Sequence, residues 1–414
     1  MNVRQAEAYL LDLELFGMRF GLDRMHKLMT ALGMPQRRFA SLHVVGSNGK
    51  SSTVRFTAAI LREHGLRAGA YTSPHLRSFA ERIEVDGQAV PDADFGAAVA
   101  RVAQAAEMVN RTLSDDDDRV TQFEALTAAA YHELARRGVE VAVIEAGLGG
   151  RYDATNVIPS AVQVLTSVGL EHTRWLGGTV RDIAEEKLAV VRDHATLVVA
   201  HDLHPDAMEV ATRVARERHA ALVRAPEAAE QPMRARGAFQ RRNFAVARTA
   251  AAAFLGERLD DDAVRRAAAS AEVPGRMQVV DETPLTIYDG AHNHEGAAAL
   301  AEALPEVVGE RPLTGVVAIL DDKDARGMLS ALLPRFERVV FTRASNPRSL
   351  SPGTLESLAR QLDGPPAETV ADQRRAVARA QELAGPGGAV VATGSIYLIA
   401  DLVREPGAAR ASTL

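Results

Sequence analysis

The sequence contains no cysteine, which excludes disulfides, thiolate catalysis and zinc-thiolate sites and leaves extracellular stapling without support. It has no excess of positive charge. Its 48 Lys and Arg residues face 54 Asp and Glu, giving a net charge of -6 and a pI near 6.1. Nothing in that balance attracts nucleic acid or an acidic membrane, so any anion must be bound locally. No apolar run reaches membrane-spanning length. The N-terminus, Met1-Asn-Val-Arg-Gln-Ala-Glu-Ala-Tyr-Leu10, mixes charges into a helical pattern and lacks the uninterrupted apolar stretch of a signal peptide. Short-period repeats and low-complexity segments are also missing. What remains is an ordinary soluble composition, 47% hydrophobic and 25% charged over 414 residues, long enough for two domains.

Against that background one stretch stands out: Ser41-Leu-His-Val-Val-Gly46-Ser47-Asn48-Gly49-Lys50-Ser51-Ser52. A short apolar run ends in a glycine-rich turn, and Lys plus two hydroxyl residues open an amphipathic segment carrying Val54, Ala58, Ile60 and Leu61. Strand, loop and helix in that order make a phosphate cradle. Gly46 and Gly49 let backbone N–H groups face an anion, the helix N-terminus adds partial positive charge, Lys50 adds a full one, and Ser51 or Ser52 can ligate Mg2+. The pattern therefore predicts binding of a triphosphate. The loop is shorter than the usual cradle, which has glycine where this chain has Val44, and the motif alone is also compatible with a plain Gly-Asn-Gly turn.

The rest of the chain alternates strands and helices. Residues 1–34 read as helices, with Leu22, Met25, Leu28 and Met29 on a core-facing side. A second strand ends at Tyr71-Thr72-Ser73-Pro74, a hairpin is expected around Asp86-Gly87, and residues 115–118 form an acidic run expected in a solvated loop. After a helix over 121–137, a buried strand delivers Glu145 into Gly147-Leu-Gly149-Gly150-Arg151-Tyr-Asp153. A carboxylate on the strand beside a phosphate cradle is where magnesium is commonly held, although Glu145 alone could be an ordinary strand-end acid. Another strand, 161–168, empties into Glu171-His172-Thr173. His172 could be a ligand or a surface residue. A helix over 179–192 follows, with Thr179 as N-cap and Lys187 read from periodicity as a solvated surface lysine. Asn243, on an alanine-rich helix over 239–255, reads as a cap or a ligand. The Pro274-Gly275 pair marks a boundary between domains 1–275 and 276–414. The second domain repeats the alternation, and its first strand ends in Asp289, His292 and Asn293. The expected fold is α/β: an N-terminal P-loop ATPase domain with a doubly wound sheet, then a smaller Rossmann-like α/β domain. Polar clusters at strand carboxyl ends are where such sheets bind ligands, and two such domains facing one another would enclose an interdomain active site.

A cradle without kinase-type phosphoacceptor machinery, followed by a complete second α/β domain, suits activation of a carboxylate by ATP. Phosphoryl transfer gives an acyl phosphate, which an amine then displaces. A small-molecule kinase would need no second domain of this kind, and a regulatory nucleotide-binding protein would need a partner surface instead.

The ordered motifs Phe20-Gly-Leu-Asp-Arg-Met25, Gly46-Ser-Asn-Gly-Lys-Ser-Ser52, Thr72-Ser-Pro-His-Leu76, Thr121-Gln-Phe-Glu124, Glu145-Ala-Gly-Leu-Gly-Gly-Arg-Tyr-Asp-Ala-Thr-Asn156, Asp289-Gly-Ala-His-Asn293, Asn346-Pro-Arg348 and Thr393-Gly-Ser395 span nearly the whole length. Together they resemble the folylpolyglutamate synthase / dihydrofolate synthase family of the Mur ligase superfamily. The resemblance implies ATP-dependent amide formation between L-glutamate and a pteroate or folate carboxyl group, in a cytoplasmic monomer that acts on small molecules. By matching motif it implies Lys50 on phosphate, Ser73 and Glu145 on one Mg2+, and His172 on a second. Asn243 would meet adenine, Arg276 the phosphates, Asp289 and His292 would lie at the interdomain site, and Ser395 near the incoming glutamate. Arg151 and Asp153 are candidates for the pterin end, and K+ is a further implied cation. Lys187 matches a carbamylated lysine, which would turn a cation into a carboxylate-like metal ligand. Three departures accompany the match: Leu188-Ala189-Val190 after Lys187, His294 where proline is common, and Ser51 where glycine is common. A muramyl-peptide ligase is the alternative, but it would carry a further N-terminal domain, for which the roughly 50 residues before the cradle are too few.

Overall fold

The computed structural model describes residues 1–14, 21–113 and 118–405. Phe20 and most of the acidic run over 115–118 therefore lie outside the described residues. By packing, the chain forms two compact units. Of the described residues, the first takes those within 1–232 and 242–271, and the second takes 233–241 and 272–405.

The first unit is built on an eight-stranded sheet: β1 (Ala40–Val45), β2 (Ala68–Tyr71), β3 (Ile83–Val85), β4 (Gln88–Ala89), β5 (Val141–Glu145), β6 (Val162–Leu165), β7 (Thr196–Val199) and β8 (Ala221–Arg224), in the order β4-β3-β2-β5-β1-β6-β7-β8. All pairings are parallel except those of β3 and β4. Those two form the expected hairpin, with Asp86 and Gly87 both at positive φ, 52° and 80°, as a two-residue turn matched to strand twist requires. Strands β1 and β5 are buried on both faces; β5 reads as an apolar run closed by Glu145, whereas β1 sets Ser41 and His43 between its apolar residues. Helix Lys50–Glu63 packs over β1, β2 and β5. Helices Val3–Asp12, Asp23–Ala31, Asp92–Asn110 and Gln122–Arg136 share one core in which Met25, Leu28 and Met29 are fully buried, the packing their spacing predicts. The chain order puts the carboxyl ends of β2, β5, β1 and β6 side by side, which is why segments far apart in sequence converge there.

The second unit carries six strands, β9 (Gln278–Glu282), β10 (Leu285–Tyr288), β11 (Leu313–Val317), β12 (Arg338–Phe341), β13 (Ala367–Thr369) and β14 (Ala389–Thr393), in the order β13-β12-β11-β14-β10-β9. Only β9 is antiparallel. The α/β architecture with two doubly wound sheets is the one the alternation predicts. Four elements escape the sequence reading. The short edge strands β8 and β9 have little buried apolar pattern, and helices Asp92–Asn110 and Asp261–Ser270 were not anticipated between the stronger motifs.

Candidate active site

The cradle is a turn held from two sides. β1 stops at Val45, and the chain turns through residues 46–49 into helix Lys50–Glu63. Among the described residues no side chain caps that helix, so its first-turn amides point outward as orphan donors. Gly49, the N-cap, sits at φ 84°, where a Cβ would be strained. A Cβ on Gly49 would also collide with Asn243 Oδ1, and one on Gly46 with Thr166 Oγ1. The end of β6 fixes the loop: Ser47 N donates to Ser167 O (2.9 Å), Asn48 N to Ser167 Oγ (2.8 Å), and Thr166 Oγ1 to Asn48 O (2.6 Å). Thr166 and Ser167 are functional residues that sequence reasoning missed. Lys50 Nζ lies over the loop, donating to Gly46 O (2.9 Å) and Ser47 O (3.1 Å). A rigid loop, an uncapped helix N-terminus and a lysine fit the polyphosphate of a nucleotide.

Glu145, at the end of β5, is 2% exposed and gathers the hydroxyl residues. Ser51 Oγ donates to Glu145 Oε1 (3.0 Å), and Ser73 N donates to Oε2 (3.2 Å). Ser52 is buried in the helix packing, so Ser51 is the hydroxyl that faces the carboxylate. The Ser51 hydroxyl and the Glu145 carboxylate are the hard oxygen donors that suit a divalent cation such as magnesium, and Ser73 meets them through its backbone N–H. His172 is exposed, in left-handed backbone before the short helix Thr173–Leu176.

Lys187 corrects the surface reading: its side chain is 2% exposed. It follows Ile183 by one helical turn, on the stripe Ile183, Ala184, Lys187, Leu188 that helix Val180–Leu188 buries. That turn relation was the available signal. Nζ donates to Gly46 O (2.9 Å) and lies 3.5 Å from Glu171 Oε1. Burial pushes its pKa down to about 8, Glu171 working against the shift and Lys50 with it. Lys50 and Lys187 thus share one carbonyl, Gly46 O.

The glycine-rich loop after β5 folds against the same helix. Arg151 is exposed, with Nε 3.1 Å from Glu186 Oε2. Asp153 turns inward, accepting from Leu148 N (2.8 Å), Thr155 N (3.0 Å) and Thr155 Oγ1. Burial raises its pKa, and these bonds oppose the rise. The Phe123 ring packs on Gly147, where a Cβ would not fit.

In the second unit, Asp289 ends β10 in a buried position, accepting from Met277 N (2.9 Å) and Ala291 N (2.8 Å). Burial raises its pKa and Arg276 opposes this. The Arg276 guanidinium packs on Gly290. His292 Nδ1–H donates to Gly290 O (2.9 Å), which leaves Nε2 as its other ring nitrogen. Ser395, after the neighbouring strand β14, is buried and caps helix Ile396–Val403 by accepting from Tyr397 N (3.2 Å). The structure therefore assembles Gly46–Ser51, Ser73, Glu145, Lys187 and Asn243 in one unit, and Arg276, Asp289, His292 and Ser395 in the other.

Comparison with known proteins agrees with this geometry. The family model for the Mur ligase glutamate ligase domain matches residues 275–396. The dihydrofolate synthase/folylpolyglutamate synthase of Mycobacterium tuberculosis is 34% identical over 86% of this chain and 80% of its own length. A probable bifunctional folylpolyglutamate synthase/dihydropteroate synthase of Haloferax volcanii is 34% identical over 97% of this chain, which spans 50% of that longer protein. Among solved structures, Mycobacterium tuberculosis folylpolyglutamate synthase complexed with ADP superposes with a TM-score of 0.90 at 31% identity, covering 98% of this chain and 99% of that one. A phosphate cradle joined to a glutamate ligase domain defines an ATP-dependent ligase of the Mur class. Within that class, the chain belongs to the folylpolyglutamate synthase/dihydrofolate synthase family.

Proposed function

We propose that the protein joins L-glutamate by an amide bond to dihydropteroate and to reduced folyl(poly)glutamates, with ATP cleaved to ADP and phosphate. The observation that carries the reading is the convergence of Lys50, Ser51, Ser73 and Glu145 on one cradle in a chain of this family. The substrate carboxylate attacks the γ-phosphorus of ATP, giving an acyl phosphate and ADP. The glutamate amine then adds to the acyl carbon and expels inorganic phosphate. Lys50 and the cradle amides stabilise charge on the transferring group. Ser51, Ser73 and Glu145 would hold magnesium, with His172 at a second site, and the ion would supply charge neutralisation on the phosphate oxygens. Lys187 joins this set as its carbamate, a reading supported by its burial and depressed pKa. Asn243 is assigned to adenine, supported by its contact with Gly49, and Arg276 to phosphate. Asp289, His292 and Ser395 are assigned to the transfer step and the incoming glutamate. Arg151 and the loop shaped by Asp153 take the pterin end of the acid. Residues 1–275 act as the ATP-binding domain and 276–414 as the ligase-type domain, in a cytoplasmic monomer. K+ enters this reading through the family alone, with no residue of this chain assigned to it.

The test is ADP release with ATP, magnesium and L-glutamate, adding dihydropteroate in one reaction and tetrahydrofolate in another. Release that requires both acid and glutamate, with either acid, supports the bifunctional reading. Release with one acid alone assigns a monofunctional enzyme. Release only with a UDP-muramyl peptide and an amino acid would overturn the folate reading.

A further inference from the structure

A polar seam runs beneath the glycine-rich loop. His43, in β1, is fully buried, and its Nε2 lies 2.8 Å from Thr155 Oγ1. Thr155 has one hydroxyl proton and donates it to Asp153 Oδ1, so its oxygen can only accept from the ring. His43 therefore carries its proton on Nε2, and donation runs one way: His43 to Thr155 to Asp153. Asp153 in turn receives Leu148 N (2.8 Å) and Thr155 N (3.0 Å), tying the start of the loop and the short helix that follows it to one carboxylate. Tyr131 braces the far side, its hydroxyl donating to Thr155 O (2.9 Å). Burial, aided by Arg192, pushes the His43 pKa down to about 3, so the ring stays neutral at any working pH and this tautomer persists.

The arrangement is costly for the interior of a sheet. His43 Nδ1 has no partner among the described residues, and neither do Ser41 Oγ or Gln163 Oε1. Ser41 shares its face two residues earlier on β1, and Gln163 is its register partner on β6. An apolar side chain would fill this position without the desolvation cost. What the polar ring adds is its one directed hydrogen bond toward Asp153.

We infer that His43 is a positioning residue: acting through Thr155, it fixes Asp153 and with it the shape of loop 147–153, and so sets the KM for the acid substrate without taking part in phosphoryl transfer. The inference rests on the proposed assignment of that loop to the acid.

The test compares His43→Met, which keeps volume but loses the donor, with His43→Gln, which keeps an N–H of similar reach. Thr155→Val and Thr155→Ser make the same comparison one step along, so the relay is still tested if a His43 variant fails to fold. KM for the acid, KM for ATP, kcat and Tm are measured for each, and for Asp153→Asn. His43→Met and Thr155→Val should each raise the acid KM about tenfold, the loss of one directed hydrogen bond, with the ATP KM within about twofold. The glutamine and serine variants should stay near wild type, and the Met/Val double variant should be no worse than either single. Equal effects of Met and Gln, equal rises in both KM values, or additive effects in the double variant would overturn the relay. An Asp153→Asn variant with unchanged acid KM would instead overturn the assignment of the loop. A large Asp153→Asn effect beside a silent His43→Met would overturn the relay and leave that assignment standing.

Discussion

The burial of Lys187 makes a quantitative prediction about its reactivity with carbon dioxide. Only the neutral amine forms a carbamate, so reactivity follows the deprotonated fraction. With a pKa of about 8, roughly a quarter of Lys187 is neutral at pH 7.5, against about one part in a thousand for a lysine at the ordinary 10.5. That is a gain of about two hundredfold. The sign is set by which form reacts: raising pH through 8 removes the proton, so labelling should grow about tenfold per pH unit below 8 and level off above it. The chain has only four lysines, Lys27, Lys50, Lys187 and Lys323, and Lys27 is exposed, so it serves as an internal control. The assay is labelling under a fixed partial pressure of 13CO2 from pH 6.5 to 8.5, so that dissolved CO2 is constant, read as a carbamate carbon signal and by mass on the Lys187 peptide under non-acidic handling. Label at Lys187, absent in Lys187→Arg and stronger at neutral pH in Glu171→Gln, is the expected result. A Lys187 that stays unlabelled at pH 8.5, or labels no faster than Lys27, would refute the reasoning.

Other perturbations follow from the same geometry. Lys50→Ala should lower kcat about a hundredfold to a thousandfold with an unchanged circular dichroism spectrum, because Nζ donates to the loop carbonyls of Gly46 and Ser47. Gly49→Ala should cost about 1–2 kcal/mol of stability for a left-handed alanine, and should weaken ADP binding in calorimetry because the new methyl displaces Asn243. Glu145→Gln should raise the magnesium concentration needed for half-maximal rate about tenfold or more, while the Ser51 contact persists through the amide oxygen.

Much of this site was legible in the sequence because its parts lie at strand ends, where glycine and hydroxyl residues interrupt apolar runs. The cradle, Ser73 and Asp289 each follow a strand, and Glu145 closes one, that burial makes easy to read. Lys187 was misread because long polar side chains are assumed to face water. Its turn relation to Ile183 pointed inward. Thr166 and Ser167 escaped notice because their work is done through hydrogen bonds to the cradle backbone, which no spacing rule encodes. His43 was hidden for a similar reason: its partner Thr155 lies 112 residues away. The edge strands β8 and β9 were missed because an edge needs little buried surface to hold four or five residues in register.

The central claim, that ATP activates the acid as an acyl phosphate before glutamate attacks, is tested most directly with an acid whose carboxylate carries 18O. The carboxylate oxygen bonds to phosphorus in the first step and leaves with phosphate in the second. The account predicts one 18O in the inorganic phosphate for each amide formed; phosphate free of label during amide formation would contradict it.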